Sequence, residues 1–238
     1  MEKRKLQAAG IIFFLCLFLM RVPLHSQKAE EEAVYGDDGF FIGASFSFVS
    51  LEGDFDGNLI LFNEKQAFIT PRMEKGTGFG LNFGIKSRFG LWSFVYLRST
   101  HKNMFQGKEG ESVFRVVGLD AMPFLMTWGR LRPYLLIGIN IPWIIVKDGW
   151  TYYDSSGGDA SFVGIGVNAG GGLLFHLQPR LFIRGTAAYR YLGFLYVSGE
   201  KGRSRDVTDL YISEGNNKQD QYLAMQGWTF SISLGISI

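Results

Sequence analysis

Cysteine occurs once in the 238-residue chain, proline six times and histidine three times, and neither sign of charge dominates, with 24 Lys and Arg against 22 Asp and Glu. The lone Cys16 lies inside the apolar run from Ala8 to Met20, so beyond that run neither disulfides nor thiol chemistry are available. Past residue 26 the histidines are His101 and His176, which form no Cys/His cluster for a metal. The glycine triplet Gly170 to Gly172 sits in an alternating segment, not between a strand and a helix, so no nucleotide loop and no cofactor motif is present. Scarce proline argues against disorder.

Long apolar runs are missing too. The run from Ala8 to Met20 falls short of the ~20 residues of a membrane helix. Preceded by Lys3, Arg4 and Lys5, it reads as the hydrophobic region of a signal peptide over residues 1–26. Removing that leader takes away Lys3, Arg4, Lys5, Arg21 and Glu2, four positive charges and one negative, and turns the formal +2 into −1. No basic surplus is left to attract nucleic acid.

What the chain has is glycine, 31 residues of it, 16% aromatics, and a repeated period of two. Phe40, Ile42, Ala44, Phe46 and Phe48 alternate with Gly43, Ser45 and Ser47. Phe79, Leu81, Phe83 and Ile85 alternate with Gly80, Asn82, Gly84 and Lys86. Val163, Ile165, Val167, Ala169 and Leu173 oppose Gly164, Gly166, Asn168, Gly170 and Gly172, and Trp228 to Ile238 repeats the pattern. Strict alternation marks a strand whose two faces meet different surroundings. Weaker segments at 91–99, 116–124, 133–146 and 181–193 bring the number of strands to eight. Pro123 and Pro142 interrupt two of them, which predicts a bulge or a strand end. The segment 91–99 is apolar on both faces, and Arg98 orients it, sending Trp92, Phe94 and Tyr96 inward with the arginine.

Short turns (residues 87–90, 127–132 and 177–180) alternate with four long loops, so the turns and both chain ends share one side of an antiparallel meander. The first loop holds NLILFNEKQAFIT, a hairpin with arms too short to cross a bilayer, which reads as a projection outside it.

The small face carries Gly, Ser, Thr and Asn with every strand-borne charge, and the large face carries none. Arg or Lys at mid-bilayer on a lipid-facing strand costs about 2–4 kcal/mol, which accounts for a charge-free face turned to lipid. Backbone groups in hydrocarbon must be paired, so such a sheet spans only as a closed barrel. The predicted fold is all-β: a closed eight-stranded antiparallel up-and-down transmembrane β-barrel. Aromatic girdles are expected from Trp92, Trp128 and Tyr134 at the short-turn end, and from Trp143, Trp150, Tyr191, Tyr196 and Trp228 at the long-loop end. The interior of eight strands is nearly filled by side chains. Asn82, Lys86, Arg98, Asp120, Asn140, Asn168, Arg184 and Arg190 are the expected lumen-lining set, with the charges paired to one another inside. Ser99, His101, Glu109 and Glu111 contain the residue types of a hydrolytic triad, but no further feature supports catalysis, and no enzyme is expected.

Leader, eight alternating strands, short turns against long loops and the terminal WTFSISLGISI together resemble the small outer-membrane β-barrels of diderm bacteria, the OmpX, OmpA-barrel and OmpW group. The resemblance implies residence in the bacterial outer membrane, with residues 27–38 as a short periplasmic lead-in and 39–238 as the barrel with four long external loops. It implies outer-membrane lipid, periplasmic chaperones and the barrel-assembly machinery as partners. It also implies a porin-like narrow channel or binding site for a small solute or, alternatively, a surface adhesion or host-interaction protein acting through its loops. Such chains commonly finish on Phe, whereas Ile238 stands here, which suggests a divergent lineage.

Overall fold

The computed structural model describes residues 38–238 apart from 54–58, 64–65, 70–71, 74, 106–107, 127–128, 153–154, 200–203, 207–210 and 213–222. The expected leader, residues 1–26, and all but the last residue of the expected lead-in, 27–38, therefore lie outside the described residues. Eight long strands form the barrel: β1 (Gly39–Gly53), β2 (Gly76–Ser87), β3 (Gly90–Phe105), β4 (Lys108–Pro123), β5 (Leu131–Tyr152), β6 (Ser155–His176), β7 (Leu181–Gly199) and β8 (Leu223–Ser237). Each pairs antiparallel with its successor. β8 returns to β1 in register from Phe41↔Ser237 to Gly53↔Met225, so the sheet closes without an edge. The Ile238 N–H donates to the Phe40 carbonyl at 2.8 Å, carrying the ladder to the last residue.

The two faces follow from parity. In β1, β2, β6 and β8 the large apolar members of each alternating set are exposed outside and the Gly, Ser, Thr and Asn members point in. Inward glycines leave room for larger inward neighbours: a methyl at Gly43 would stand 2.6 Å from Asn82 Oδ1, and one at Gly166 the same distance from Asn140 Oδ1. On β8 the exposed apolar row runs from Trp228 to Ile238, matching the 9–11 residues that cross a bilayer on a tilted strand. These side chains are left on the surface because their solvent is acyl chain.

β3 is oriented opposite to the sequence expectation. Trp92 is 67% exposed and Arg98 is exposed with it on the outer face, while Leu91, Ser93, Leu97, Ser99 and His101 are buried inside. Cross-strand partners share a face, and Trp92 sits opposite Ile85 and Phe94 opposite Phe83, both lipid-facing on β2. Tyr134 departs from the expected girdle as well: it is buried inside the barrel, where its hydroxyl donates to the Gly185 carbonyl at 3.0 Å and meets Thr186 Oγ1 at 2.6 Å. Trp92 is exposed near the short turns, and Trp143, Tyr191, Tyr196 and Trp228 are exposed toward the long loops. The side chains of Trp128 and Trp150 fall outside the described residues.

Pro123 ends β4. Pro142 remains inside β5 opposite Val116, and the β5–β6 ladder skips Ile141 and Pro142, resuming at Trp143↔Val163 in unchanged register, so no bulge forms there. Bulges occur higher, between Val146 and Trp150 and between Phe194 and Tyr196. β5 and β6 have 22 residues each, about twice what a crossing needs, and so rise well above the bilayer. β4 accompanies β5 only as far as Val146. Beyond that point the predicted loop hairpin, Leu59–Asn63 with Gln66–Ile69, takes its place, pairing Gln66 to Phe68 with Trp150 to Tyr152. The strand Tyr211–Ile212 from the last long loop then pairs with Ile60 and Leu61.

Candidate functional site

Three layers fill the barrel. At the short-turn end Phe41, Leu91, Met122, Phe124, Leu174 and Phe182 form an apolar cluster, with Phe182 packed edge-on against Phe41 at 5.9 Å. Toward the long loops Val49, Leu97, Phe114, Ile144, Phe162 and Phe194 form a second, with Phe162 edge-on to Phe194 at 6.3 Å. Between them lies a polar layer. Its members alternate with lipid-facing residues on the same strands: Asn82 between Leu81 and Phe83, Asp120 between Leu119 and Ala121, Arg190 between Tyr189 and Tyr191.

The polar layer is tied together across strands. Asn140 Nδ2 donates to Asn168 Oδ1 at 3.4 Å, and Asn168 Nδ2 donates to Asp120 Oδ1 at 3.0 Å. Arg190 Nε donates to Thr229 Oγ1 at 3.0 Å, and Arg184 Nη1 approaches the sulfur of Met122 at 3.3 Å. Asp120 attracts both guanidinium groups through space while its hydrogen bond goes to Asn168. In place of the expected mutual ion pairing, Asp120 bonds Asn168, while Arg184 and Arg190 take the neutral acceptors Met122 and Thr229. Asn82, Asp120, Asn168, Arg184 and Arg190 surround a cavity of about 40 Å³. One water occupies about 10–15 Å³ on this measure, so the space holds a few small molecules of that size.

Of the eight expected lumen residues, Asn82, Lys86, Asp120, Asn140, Asn168, Arg184 and Arg190 are buried inside the barrel. Lys86 belongs to the short-turn layer, fully buried near Arg132 and His176, which are equally buried. Arg98 is the exception. It faces outward opposite Arg115 on β4, which also lies on the outer face, so two arginines stand on the side expected to be free of charge. Near the edges of the apolar band an outward Arg costs only about 0–1 kcal/mol, and this is where both sit. Arg115 and Arg132 escaped the sequence reading because β4 and β5 are apolar on both faces there and offer no alternation to assign them.

Ser99 Oγ and His101 Nε2 do meet, at 2.9 Å, but at 1% and 0% exposure inside the barrel, with Phe114 edge-on to the imidazole. Glu111 is exposed outside opposite Lys102, away from that pair, and the side chain of Glu109 is outside the described residues. A larger concavity of about 750 Å³ is bordered by Phe94, Leu119, Ile139, Val167 and Tyr191, a cross-strand row on the outer face. Its lining also includes Asn140, Phe194 and Leu223, which are buried on the inner face.

No protein-family model and no curated protein sequence matches the chain. Among solved structures it is similar to the outer membrane protein OprG from Pseudomonas aeruginosa, with a TM-score of 0.55 and 12% identity over 86% of this chain and 97% of that one. It is similar too to Neisserial surface protein A, with a TM-score of 0.51 and 13% identity over 85% of this chain and 99% of that one. The fold is therefore that of the small eight-stranded outer-membrane barrels.

Proposed function

We propose that the protein is an integral outer-membrane barrel that acts by binding at its long-loop face, as a surface adhesion or interaction protein. The observation that carries this reading is the filled interior: two apolar clusters seal a polar layer whose cavity is about 40 Å³. A path for solute needs a continuous polar or open lumen. The wall also continues above the membrane as a sheet in which the first and last long loops pair with each other and with β5. Strand-borne loops present a fixed surface to a partner at low entropic cost. On this reading the partners are outer-membrane lipid, the periplasmic chaperones and assembly machinery that deliver the chain, and a ligand on a host surface. A lipid-modifying role would have to use Ser99 and His101, which the barrel wall separates from lipid.

The second reading, a narrow channel or binding site for a small solute, draws support from unsatisfied buried atoms at the polar layer, Asn82 Oδ1, Asn140 Oδ1, Arg184 Nε and Ser233 Oγ. A solute-flux assay in liposomes separates the two. The binding reading expects leakage at the level of protein-free vesicles, together with host-surface binding that is lost on deleting residues 54–76 or 197–222. Reproducible solute uptake by the full chain, with surface binding unchanged by those deletions, would sink it.

A further inference from the structure

We propose that Arg98 and Arg115 form a binding site for the phosphate group of a lipid headgroup, in the leaflet on the long-loop side of the membrane. The inference rests on the membrane reading above and goes beyond it in assigning a ligand to the outer wall. Both side chains lie on the lipid-facing side, directly opposed in the β3–β4 ladder. Like charges directly opposite one another destabilise a sheet, so the pairing calls for a third, negative group. Among the described residues the outward neighbours of the pair are Phe79, Tyr96, Thr100, Val113, Val117 and Trp143, and none is an acid. Glu111 lies four pairs further toward the loop, opposite Lys102.

Arg115 is held in place. Its guanidinium carbon lies 5.7 Å from the centroid of the Trp143 ring, and its Nε is buried without a hydrogen-bond partner. A half-buried guanidinium with no acid among its outward neighbours, at the edge of the apolar belt, suits an oxyanion brought by the surrounding medium. The depth agrees. Arg98 stands eight residues beyond Gly90 at the short turn, roughly 20 Å of rise at ~3.3 Å per residue on a strand tilted by about 40°, where an apolar band ~25 Å tall gives way to headgroups. Opposed positions across a ladder are about 5 Å apart at Cα, so both guanidinium forks reach one phosphate, each through paired N–H groups. Tyr96, Val117 and Phe79 below the pair lie where the acyl chains of the same lipid would run.

The test uses the full chain refolded in neutral detergent micelles doped with phosphatidic acid, with diacylglycerol, or with inorganic phosphate alone, and reads retained lipid by native mass spectrometry. The wild-type chain is expected to retain phosphatidic acid about tenfold over diacylglycerol, a ratio of the size that one or two charge-assisted hydrogen bonds supply. Arg98→Gln with Arg115→Gln reduces that ratio to about twofold or less, and Arg98→Lys with Arg115→Lys, which keeps the charge and loses the fork, falls between. Circular dichroism and resistance to unfolding report that each variant is a folded barrel. Equal retention of the two lipids by wild type, or an unchanged ratio in the glutamine variant, overturns the site while the membrane reading stands. Displacement of phosphatidic acid by millimolar inorganic phosphate also overturns it, making the pair a site for free anions. Failure of the wild type to insert into neutral vesicles at all overturns both.

Discussion

Followed from the short turns to the long loops, the inside of the barrel runs from an apolar cluster that also holds buried Lys86, Arg132 and His176, through a polar layer, to a second apolar cluster. The outer apolar belt lies level with the polar layer. The inner polar layer of Asn82, Asp120, Asn168 and Arg190 lies on the same stretches of strand as the outer belt of Leu81, Phe83, Leu119, Val167 and Tyr191. The inner apolar cluster toward the loops includes Val146 and Phe162, on the reaches of β5 and β6 beside Lys147 and Asp159, whose side chains pair outside at 2.6 Å. Hydrocarbon outside allows polar groups to be gathered inside, where Asn140, Asn168 and Asp120 bond one another and Asn82 Oδ1 and Arg184 Nε border the small central cavity. Water outside favours the ordinary arrangement of a globular core. The same eight strands thus make two kinds of protein, one stacked on the other.

That inversion can be attacked at several points, each read by denaturant unfolding in lipid vesicles. Asp120→Ala removes the carboxylate shared by Arg184 and Arg190 and leaves two buried cations uncompensated, a loss expected to cost about 3–5 kcal/mol. A loss under about 1 kcal/mol would mean that the polar layer is hydrated and not dry. Ile232→Arg puts a charge in the middle of the outer belt on β8 and should cost about 2–4 kcal/mol, without changing strand content by circular dichroism. A neutral result there would contradict the lipid contact of that face. Tyr134→Phe takes away the buried hydroxyl that bonds the Gly185 carbonyl and Thr186 Oγ1, for about 1–3 kcal/mol. Thr77→Arg, outward at the loop end of β2, is the near-silent member of the series at about 0–1 kcal/mol, since it lies where the belt ends. A penalty at position 77 equal to that at 232 would move the edge of the bilayer above Thr77.

How much of this was legible in the residues depended on the strand. β1, β2, β6 and β8 carry Gly, Ser, Thr or Asn at most alternate positions through the membrane, so parity alone assigned their faces. β3 has Leu, Trp, Phe, Val and Tyr on both sides, and its orientation had to be taken from Arg98. The premise that a charge belongs inside holds at mid-bilayer, where the penalty is several kcal/mol, and fails at the band edge, where it is close to zero. The partner across the ladder was the better witness, because Trp92 against Ile85 follows from the two-residue turn between Ser87 and Gly90. Tyr134 misled for a related reason: a tyrosine near a turn fits an interfacial girdle or an inward hydrogen bond equally well, and only the closed sheet brings Gly185 and Thr186 to its hydroxyl. The polar layer was anticipated as a set of residues. Its bonding was not, since the contacts from Asn140 through Asn168 to Asp120 join three strands and depend on glycines at positions 138 and 166 for space.

The join between β1 and β8 has a kinetic consequence. Its partners come from the two extremes of the barrel sequence, so the seam cannot form until all eight strands have been delivered, and every earlier stage exposes two unsatisfied margins of sheet. Once zipped, the ring offers no free border at which unravelling can start, and opening it within hydrocarbon would strand a full row of amides. Such a molecule is slow to assemble unaided and slower to come apart, so its persistence in a membrane is set by a barrier more than by an equilibrium.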